Sequence, residues 1–216
     1  TGNQTGDTPT DVAVLDLNGD GHDDVVSANG QNLVTRLGRG GGLYSPVPSF
    51  ETGFELQSFV DGSPRALAAG DVNGDTVPDM AVATSSPGVS VLIGDGSGAF
   101  EDANDFALAD GKETEDVVVG ELTGDAHLDV AALNTGDDTV SLLAGDGSGG
   151  LGSPVTIHTA GTTVRDLALA DADGSGTADL LLATEGGVFV LPGQGGGSFG
   201  AAQQVGEPAH ALAARD

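Results

Sequence analysis

The chain has 216 residues, 33 of them acidic and only 6 basic, so its formal charge is −27 at pH 7. This charge disfavours nucleic acid and anionic membrane surfaces as partners, but it is compatible with cations, basic surfaces and neutral sugars. Cysteine is absent, which excludes disulfides and thiolate metal sites. No apolar run is long enough to span a bilayer, and residues 1–10 lack the features of a signal peptide.

The first predicted unit begins with a short apolar run at residues 11–15, followed by the acidic loop "DLNGDGHDD" at 16–24. A second run, "DVVSA", starts at Asp24, and a third, "LVTRLG", ends in the glycine-rich turn "GRGGGLY". A more polar stretch then forms a fourth run. The runs are too short for helices and are bounded by glycine and acidic residues, which favours strands, with the apolar ones buried on both faces.

The same unit recurs along the chain, with acidic loops "DVNGDTVPD" at 71–79, "ELTGDAHLD" at 121–129 and "DADGSGTAD" at 171–179. Their first acids stand 55, 50 and 50 residues apart. Four short antiparallel strands repeated at this period are typical of a propeller. The sequence therefore predicts an all-β fold, a β-propeller of four-stranded antiparallel blades. Its repeats are expected at 11–60, 66–110, 116–160 and 166–206, with 211–216 as the extra first strand of a fifth.

The acidic loops are predicted to bind metal. Each carries oxygen-bearing side chains at positions one, three, five and nine, with a backbone carbonyl expected at position seven. Alternating oxygen ligands in a tight loop suit calcium, which accepts six to eight oxygens in flexible geometry, whereas magnesium and zinc are runners-up. The predicted ligands are Asp16, Asn18, Asp20, His22 and Asp24; Asp71, Asn73, Asp75, Val77 and Asp79; Glu121, Thr123, Asp125, His127 and Asp129; and Asp171, Asp173, Ser175, Thr177 and Asp179.

Two other interpretations of the loops are weaker. An EF-hand requires glutamate at position twelve and flanking helices. Position twelve is instead Ser27, Val82, Ala132 or Leu182, inside an apolar run. Simple solubilising turns would not require the same spacing in every unit. Up to four calcium ions are therefore expected, most securely in the loops at 16–24 and 71–79, because the other two loops replace a ligand with Glu121, Thr123 or Ser175.

The strand, the loop "DxNGDGxxD", two further strands and the turn "GDGSGxF" together resemble the FG-GAP or VCBS repeat. This repeat is the unit of the integrin α-chain propeller and of many secreted bacterial and fungal proteins. The resemblance extends from about residue 10 to residue 216. It implies calcium in the loop that joins the first two strands of each blade, held by the residues named above. It also implies no common catalytic residues, since family members adhere to proteins or glycans or serve as scaffolds.

The residues themselves offer little catalytic chemistry. His22 and His127 occupy position seven of their loops, where the carbonyl is the expected ligand and the ring is expected to point away. No nucleophile elbow or zinc signature is present, and the glycine turns lack the lysine and helix of a phosphate site, so hairpin turns with positive φ are expected. The chain is predicted to be a non-enzyme.

The predicted function is a secreted or cell-surface calcium-binding module that binds a protein or glycan. Two alternatives stay open: a calcium-stabilised structural scaffold within a larger secreted protein, and a polysaccharide-active enzyme domain. The best candidates for a specific contact are the aromatic residues of the longest insertion, Tyr44, Phe50, Phe54 and Phe59. Self-association through unpaired terminal strands is a further expectation.

Overall fold

A computed structural model of the chain describes residues 9–30, 32–45, 56–60, 62–85, 88–108, 113–134, 139–158 and 163–212. This part of the chain contains sixteen strands and no helix, so it has no helix that could cross a membrane. The strands are β1–β4 (Pro9–Leu15, Asp24–Asn29, Asn32–Arg36, Leu56–Phe59), β5–β8 (Pro64–Gly70, Asp79–Thr84, Gly88–Leu92, Asn104–Phe106), β9–β12 (Thr114–Gly120, Asp129–Asn134, Thr139–Leu143, Val155–His158) and β13–β16 (Val164–Ala170, Asp179–Thr184, Gly187–Leu191, Gln203–Gly206).

These strands form four antiparallel sheets of four strands, each with its strands in chain order. We call each sheet a blade. The predicted all-β fold of four-stranded antiparallel blades is therefore confirmed, as is the assignment of each apolar run to a strand. The last predicted element, a fifth first strand at 211–216, lies mostly outside the described residues, and residues 211–212 are not in a strand.

Burial follows the position of a strand in its blade. In the second and third blades, every residue of β6, β7, β10 and β11 is buried, as expected for strands covered on both faces. The first blade differs, because Val12 and Val14 of β1 are 56% and 59% exposed. The prediction that all apolar runs are covered on both faces is therefore wrong for β1.

The hydrophobic core lies between successive blades. One cluster joins blades one and two and includes Leu17, Val26 and Met80. A second joins blades two and three, and a third joins blades three and four. The first strands also contact one another in chain order, β1 against β5, β5 against β9 and β9 against β13. This radial packing of small sheets is propeller-like and places the acidic loops at the blade ends.

The first strands are also joined by hydrogen bonds that cross from one blade to the next. Asp11 accepts a hydrogen bond from the N–H of Leu67 at 2.8 Å, and Asp116 accepts one from the N–H of Leu167 at 2.7 Å. Asp166 accepts the equivalent bond from Leu212. Each acid lies five residues before the first acid of its loop. The second blade has Ala66 at this position and cannot make the bond.

Asp116 lies in an unusual environment at the interface between blades three and four. Burial raises the pKa of its carboxyl to about 7, and the adjacent Asp166 carboxyl adds to this rise, against the lowering effect of the Leu167 N–H. The neutral form of Asp116 is therefore favoured in the folded chain below about pH 7. The folded chain consequently binds more protons than the unfolded chain between pH 3.8 and about 7, and the contribution of Asp116 to stability is lost as pH rises through this window.

The Asp116→Asn variant tests this linkage. Asparagine keeps an acceptor for the Leu167 N–H but carries no charge, so we expect a higher melting temperature than wild type at pH 8 and a smaller gain at pH 5. The loss begins above pH 3.8, so the gain at pH 5 should be present but well below that at pH 8. The measurement is thermal unfolding at the two pH values. Asp11→Asn is the matched control, because the neighbouring blade offers Ala66 instead of a second acid. An equal gain in both variants, or a gain for Asp116→Asn at pH 5 alone, would contradict the explanation.

Candidate metal centres

The first acid of each loop organises the loop backbone. In the first loop, Asp16 accepts hydrogen bonds from the N–H groups of Asp20 at 3.2 Å and Gly21 at 2.8 Å. Asp71 accepts the same pair in the second loop, from Asp75 and Thr76, and Asp171 does so in the fourth, from Ser175 and Gly176. In the described structure the third loop departs from this pattern, because Glu121 accepts a hydrogen bond from Gly124 instead. The longer side chain therefore changes the local geometry, as its sequence indicated.

Positions three and five extend the same arrangement. Asn73 accepts a hydrogen bond from the N–H of Asp75 at 3.0 Å, and Asp75 accepts one from Val77 at 2.7 Å. Asn18 and Asp20 make the equivalent bonds in the first loop. These bonds are side-chain turns that fix each carboxylate relative to the backbone. The oxygen-bearing side chains are therefore oriented by the loop's own backbone.

The aspartate at position nine has a structural role that the sequence analysis did not assign. Its side chain is completely buried in every loop, at 0% exposure for Asp24, Asp79, Asp129 and Asp179. One oxygen of Asp79 accepts a hydrogen bond from Val72 at position two (2.9 Å), and the other accepts one from Gly94 in the glycine turn (2.9 Å). The other three aspartates make the same two bonds. Each buried carboxylate thus joins the acidic loop to the turn of its own blade.

The first glycine of each turn is required by this junction. A Cβ atom on Gly94 would lie 2.3 Å from the carbonyl oxygen of Pro78, which is closer than any side chain permits. The equivalent glycines Gly38, Gly145 and Gly193 approach the loop backbone in the same way. The first glycine of each turn is therefore needed for close contact between the turn and the loop backbone. The turn motif in the sequence did not reveal this role. Turn residues further along, such as Gly96 and Gly98, have the positive φ angles that the motif predicted.

One group of acids in the described part of the chain has the spacing of a metal site. Carboxylate oxygens of Asp171, Asp173 and Asp179 all lie within 4.8 Å of one another. Two oxygens bound to one calcium ion at about 2.4 Å can be at most about 4.8 Å apart, so the three carboxylates fit such an ion. Asp179 can take part although it accepts two backbone bonds, because a carboxylate has about four lone pairs. The donor set, all oxygen, is the set that calcium prefers.

The other predicted ligands keep their places in the loops. In the first loop, Asp16, Asp20 and Asp24 occupy positions one, five and nine, and Asn18 occupies position three. The side-chain amide of Asn18 donates a hydrogen bond to Asp20 at 3.3 Å. The same contact joins Asn73 to Asp75 at 2.8 Å. In the third loop, Thr123 donates its hydroxyl to Asp129. The position-seven carbonyls of His22, Val77, His127 and Thr177 stay predicted ligands.

Backbone hydrogen bonds favour the charged form of two exposed loop acids, Asp16 and Asp125. Backbone N–H groups, chiefly that of Gly21, lower the pKa of Asp16 below its usual value, and the N–H of His127 does the same for Asp125. Burial has the opposite effect on Asp79 and raises its pKa, although the Gly94 and Val72 N–H groups counteract it. Ionised, oriented carboxylates are what a hard divalent cation requires, and their mutual repulsion is relieved when it binds.

The two loop histidines are both exposed and lie against the glycine turn of their own blade. A Cβ on Gly40 would be 3.0 Å from the His22 ring, and one on Gly147 would be 2.6 Å from the His127 ring. His127 Nδ1 is 3.7 Å from an oxygen of Asp125. The rings therefore pack on the turns while the backbone forms the loop.

Of the predicted aromatic contacts, Tyr44 is 45% exposed, whereas Phe50 and Phe54 lie outside the described residues and only the backbone of Phe59, in β4, is described.

Four antiparallel blades with an acidic loop between the first two strands define a propeller-like repeat protein. The family model "FG-GAP-like repeat" matches residues 16–82, 71–132 and 122–182. These matches cover well over half of the chain, and the chain belongs to the FG-GAP-like repeat family. No curated protein matches it.

Solved structures that resemble this fold include a lectin and a BBS1N complex. A lectin from Agrocybe aegerita, described for its specific recognition of non-reducing terminal N-acetylglucosamine, has a TM-score of 0.63 and 21% identity, over 92% of this chain and 53% of the lectin chain. BBS1N, in complex with ARL6DN, has a TM-score of 0.60 and 14% identity, over 93% of this chain and 58% of that chain. The chain therefore spans about half the length of each structure. At these identities the likeness establishes the fold alone.

Position six of the loops supplies a test of backbone strain. The loops carry glycine there in Gly21 and Gly176, but Thr76 and Ala126 adopt the same left-handed conformation, with φ of 75° and 70°. A residue with a Cβ atom pays a steric penalty in this region. We expect Thr76→Gly to stabilise the protein by about 0.5 to 1 kcal/mol in urea unfolding.

Gly21→Ala is the converse control for this test. No atom lies within 4 Å of a Cβ added at Gly21, so its effect reports the backbone conformation alone. We expect a loss of about 1 kcal/mol. No change in either variant would show that the loop relaxes around the substitution, and the strain at Thr76 would be refuted.

A second test separates metal ligands from structural carboxylates. We expect Asp75→Ala to lower the melting temperature in calcium and to have little effect in chelator, because its side chain is exposed and its predicted role is coordination. Asp79→Ala should lower it in both conditions, because two buried N–H groups lose their acceptor at a cost of about 2 to 4 kcal/mol. Asp102→Ala, an exposed acid outside the loops, controls for charge. Equal losses for Asp75→Ala in both conditions would count against a bound ion.

Proposed function

We propose that the chain is a calcium-stabilised, non-catalytic binding module that works outside the cell and recognises a protein or a glycan. Family membership supports this proposal, because FG-GAP repeats are typically extracellular. The lectin from Agrocybe aegerita has a similar fold, and its stated ligand is terminal N-acetylglucosamine. The strong net negative charge supports neutral or basic ligands over nucleic acid.

The observation that carries the proposal is the connected surface at one end of the blades. We call the four acidic loops and the four glycine turns together the loop face. Within each blade, the buried aspartate ties loop to turn. Between blades, the N–H groups of Gly196 and Gly197 in the fourth turn donate to the carbonyls of Thr123 and Leu122 in the third loop, at 2.8 and 3.2 Å. Loops held by a rigid scaffold in this way are the usual location of binding residues.

Calcium has a defined part in this proposal. The loop acids would hold the ion and thereby stiffen the loop face, and four ions would reduce the formal charge from −27 to about −19. The predicted ligands are exposed at several positions, which suits the weak, millimolar affinity of extracellular calcium modules. Calcium therefore contributes rigidity, while recognition falls to other groups on the loop face.

A binding screen tests the proposal directly. The protein is applied to a glycan array and to a panel of extracellular proteins, once with millimolar calcium and once with chelator. We expect binding to at least one ligand that weakens tenfold or more in chelator. Binding to nothing in calcium would favour the scaffold interpretation, and release of reducing sugar from a polysaccharide would favour an enzyme. Either result would refute the proposed function.

A further inference from the structure

Four buried polar side chains meet in the third blade, at the end opposite its acidic loop. Thr114 and Asn134 are 0% and 2% exposed, and Thr139 and Ser141 are also buried. Thr114 begins β9, Asn134 ends β10 and Thr139 begins β11. Strand pairing places Asn134 directly opposite both Thr114 and Thr139. We call these four residues the polar cluster.

The polar cluster faces the second blade. Side chains alternate between the two faces of a strand, so Asn134 points to the same side as Ala132, two residues earlier. Ala132 belongs to the hydrophobic cluster between blades two and three, as does Ala66 of β5. Ala66 stands where blades one and three carry Asp11 and Asp116, whose carboxylates cross to the next blade. Near the start of the first strand, this interface therefore has a methyl group where the others have a carboxylate, which leaves space for a small molecule.

Hydrogen bonds within the polar cluster satisfy only some of its atoms. Asn134 Nδ2 donates to the hydroxyl of Thr139 at 3.1 Å and to that of Ser141 at 2.8 Å. Asn134 Oδ1 and Thr114 Oγ1 are buried, and neither has a hydrogen-bond partner within the described part of the chain. Buried polar atoms in native proteins are almost always hydrogen-bonded, because an unpaired group loses its hydration without compensation. These two oxygens therefore require a further partner.

The fourth blade solves the same position differently. Val164 stands at the position of Thr114 and has no side-chain polar atom to satisfy. Thr184 stands at the position of Asn134, donates its hydroxyl to the carbonyl of Gly187 at 2.7 Å, and accepts N–H bonds from Gly186 and Gly187. The fourth blade thus uses its own hairpin backbone at this end. Among the described residues, the two unpaired buried oxygens are particular to the third blade.

We propose that Thr114 and Asn134 bind one buried water molecule at the interface between the second and third blades. Residues directly opposite each other in an antiparallel pair have Cβ atoms about 4.5 to 5.5 Å apart. One water spans such a gap with two hydrogen bonds of about 2.8 Å each. The chemistry is also complementary, because the water accepts a bond from the Thr114 hydroxyl and donates one to Asn134 Oδ1.

The bound water would complete the hydrogen bonding of three strands. It joins the start of β9 to the end of β10, and the Asn134 amide continues this connection to Thr139 and Ser141 of β11. Buried waters of this kind are part of the structure and are costly to remove. The site lies at the opposite end of the blade from the predicted calcium ligands, so its contribution to stability should be the same in calcium and in chelator.

A valine substitution at Thr114 distinguishes a bound water from an unpaired hydroxyl by the sign of its effect. Valine has nearly the same shape as threonine and is the residue of the fourth blade at this position. Loss of a hydrogen bond to water should lower the melting temperature by about 2 to 4 °C. An unpaired hydroxyl would instead be relieved by valine, so an unchanged or higher melting temperature would overturn the site. Thr156→Val, at an exposed position of β12, controls for the strand preference of valine.

A double-mutant cycle tests whether Thr114 and Asn134 share one water. Asn134→Thr introduces the residue that blades two and four carry as Thr84 and Thr184, and it removes the amide oxygen. We expect Thr114→Val to lower the melting temperature at most half as much in this background as in wild type, because the bridge has already lost one end. Equal losses in the two backgrounds would show that the residues act separately and would refute the shared water.

A crystal structure of the wild-type chain at a resolution that shows ordered waters tests the site without any variant. We expect a water oxygen about 2.8 Å from both Thr114 Oγ1 and Asn134 Oδ1. The water should be present in crystals grown with calcium and in crystals grown with chelator. A direct hydrogen bond from the Thr114 hydroxyl to Asn134 or to another protein group, in place of the water, would overturn the inference and leave the proposed binding function unaffected.

Discussion

The buried aspartate at position nine is the constraint on which the blade depends. An isolated carboxylate is costly to bury, and this cost is offset only where charge-assisted hydrogen bonds replace the lost water. Each of the four aspartates satisfies this condition with one N–H from its loop and one from its glycine turn. The turn must approach so closely that only glycine fits at Gly94 and its equivalents. The acid, the loop and the turn glycine therefore form one unit, and this explains why all three recur together along the chain.

This unit connects metal binding to the fold. In the fourth loop Asp179 both holds the loop to the turn and contributes to a cluster with the spacing of a calcium site. A cation at such a site would strengthen the carboxylate that already organises the blade, and binding free energy would then contribute to folding free energy. The remaining acids of each loop are oriented by short side-chain turns before any ion arrives. The loops would thus need little rearrangement to bind an ion, which would lower the entropic cost of coordination.

Sequence reasoning succeeded where the determinants were local. The period, the strands and the oxygen positions of the loops all follow from short apolar runs and turn chemistry, which depend on residues close in the chain. It missed the dual role of Asp79, although one signal was available: the position-nine acid is aspartate in all four loops and is the first residue of each second strand. The Asp116 and Asp166 pair could not be found this way, because the two residues meet across a blade interface and are 50 positions apart. Exposure of Val12 likewise depends on which blade stands beside β1.

The loops differ in the residue at position two, which donates its N–H to the buried aspartate. Position two is a buried apolar residue in the first three loops, where Leu17, Val72 and Leu122 pack into the interface with the following blade. The fourth loop has Ala172 there, which is exposed. Core packing at position two therefore contributes to the first three loops, whereas the small side chain of Ala172 offers less apolar surface to the fourth. A cation held by the three carboxylates of the fourth loop would relieve their mutual repulsion, a contribution that does not depend on packing at position two.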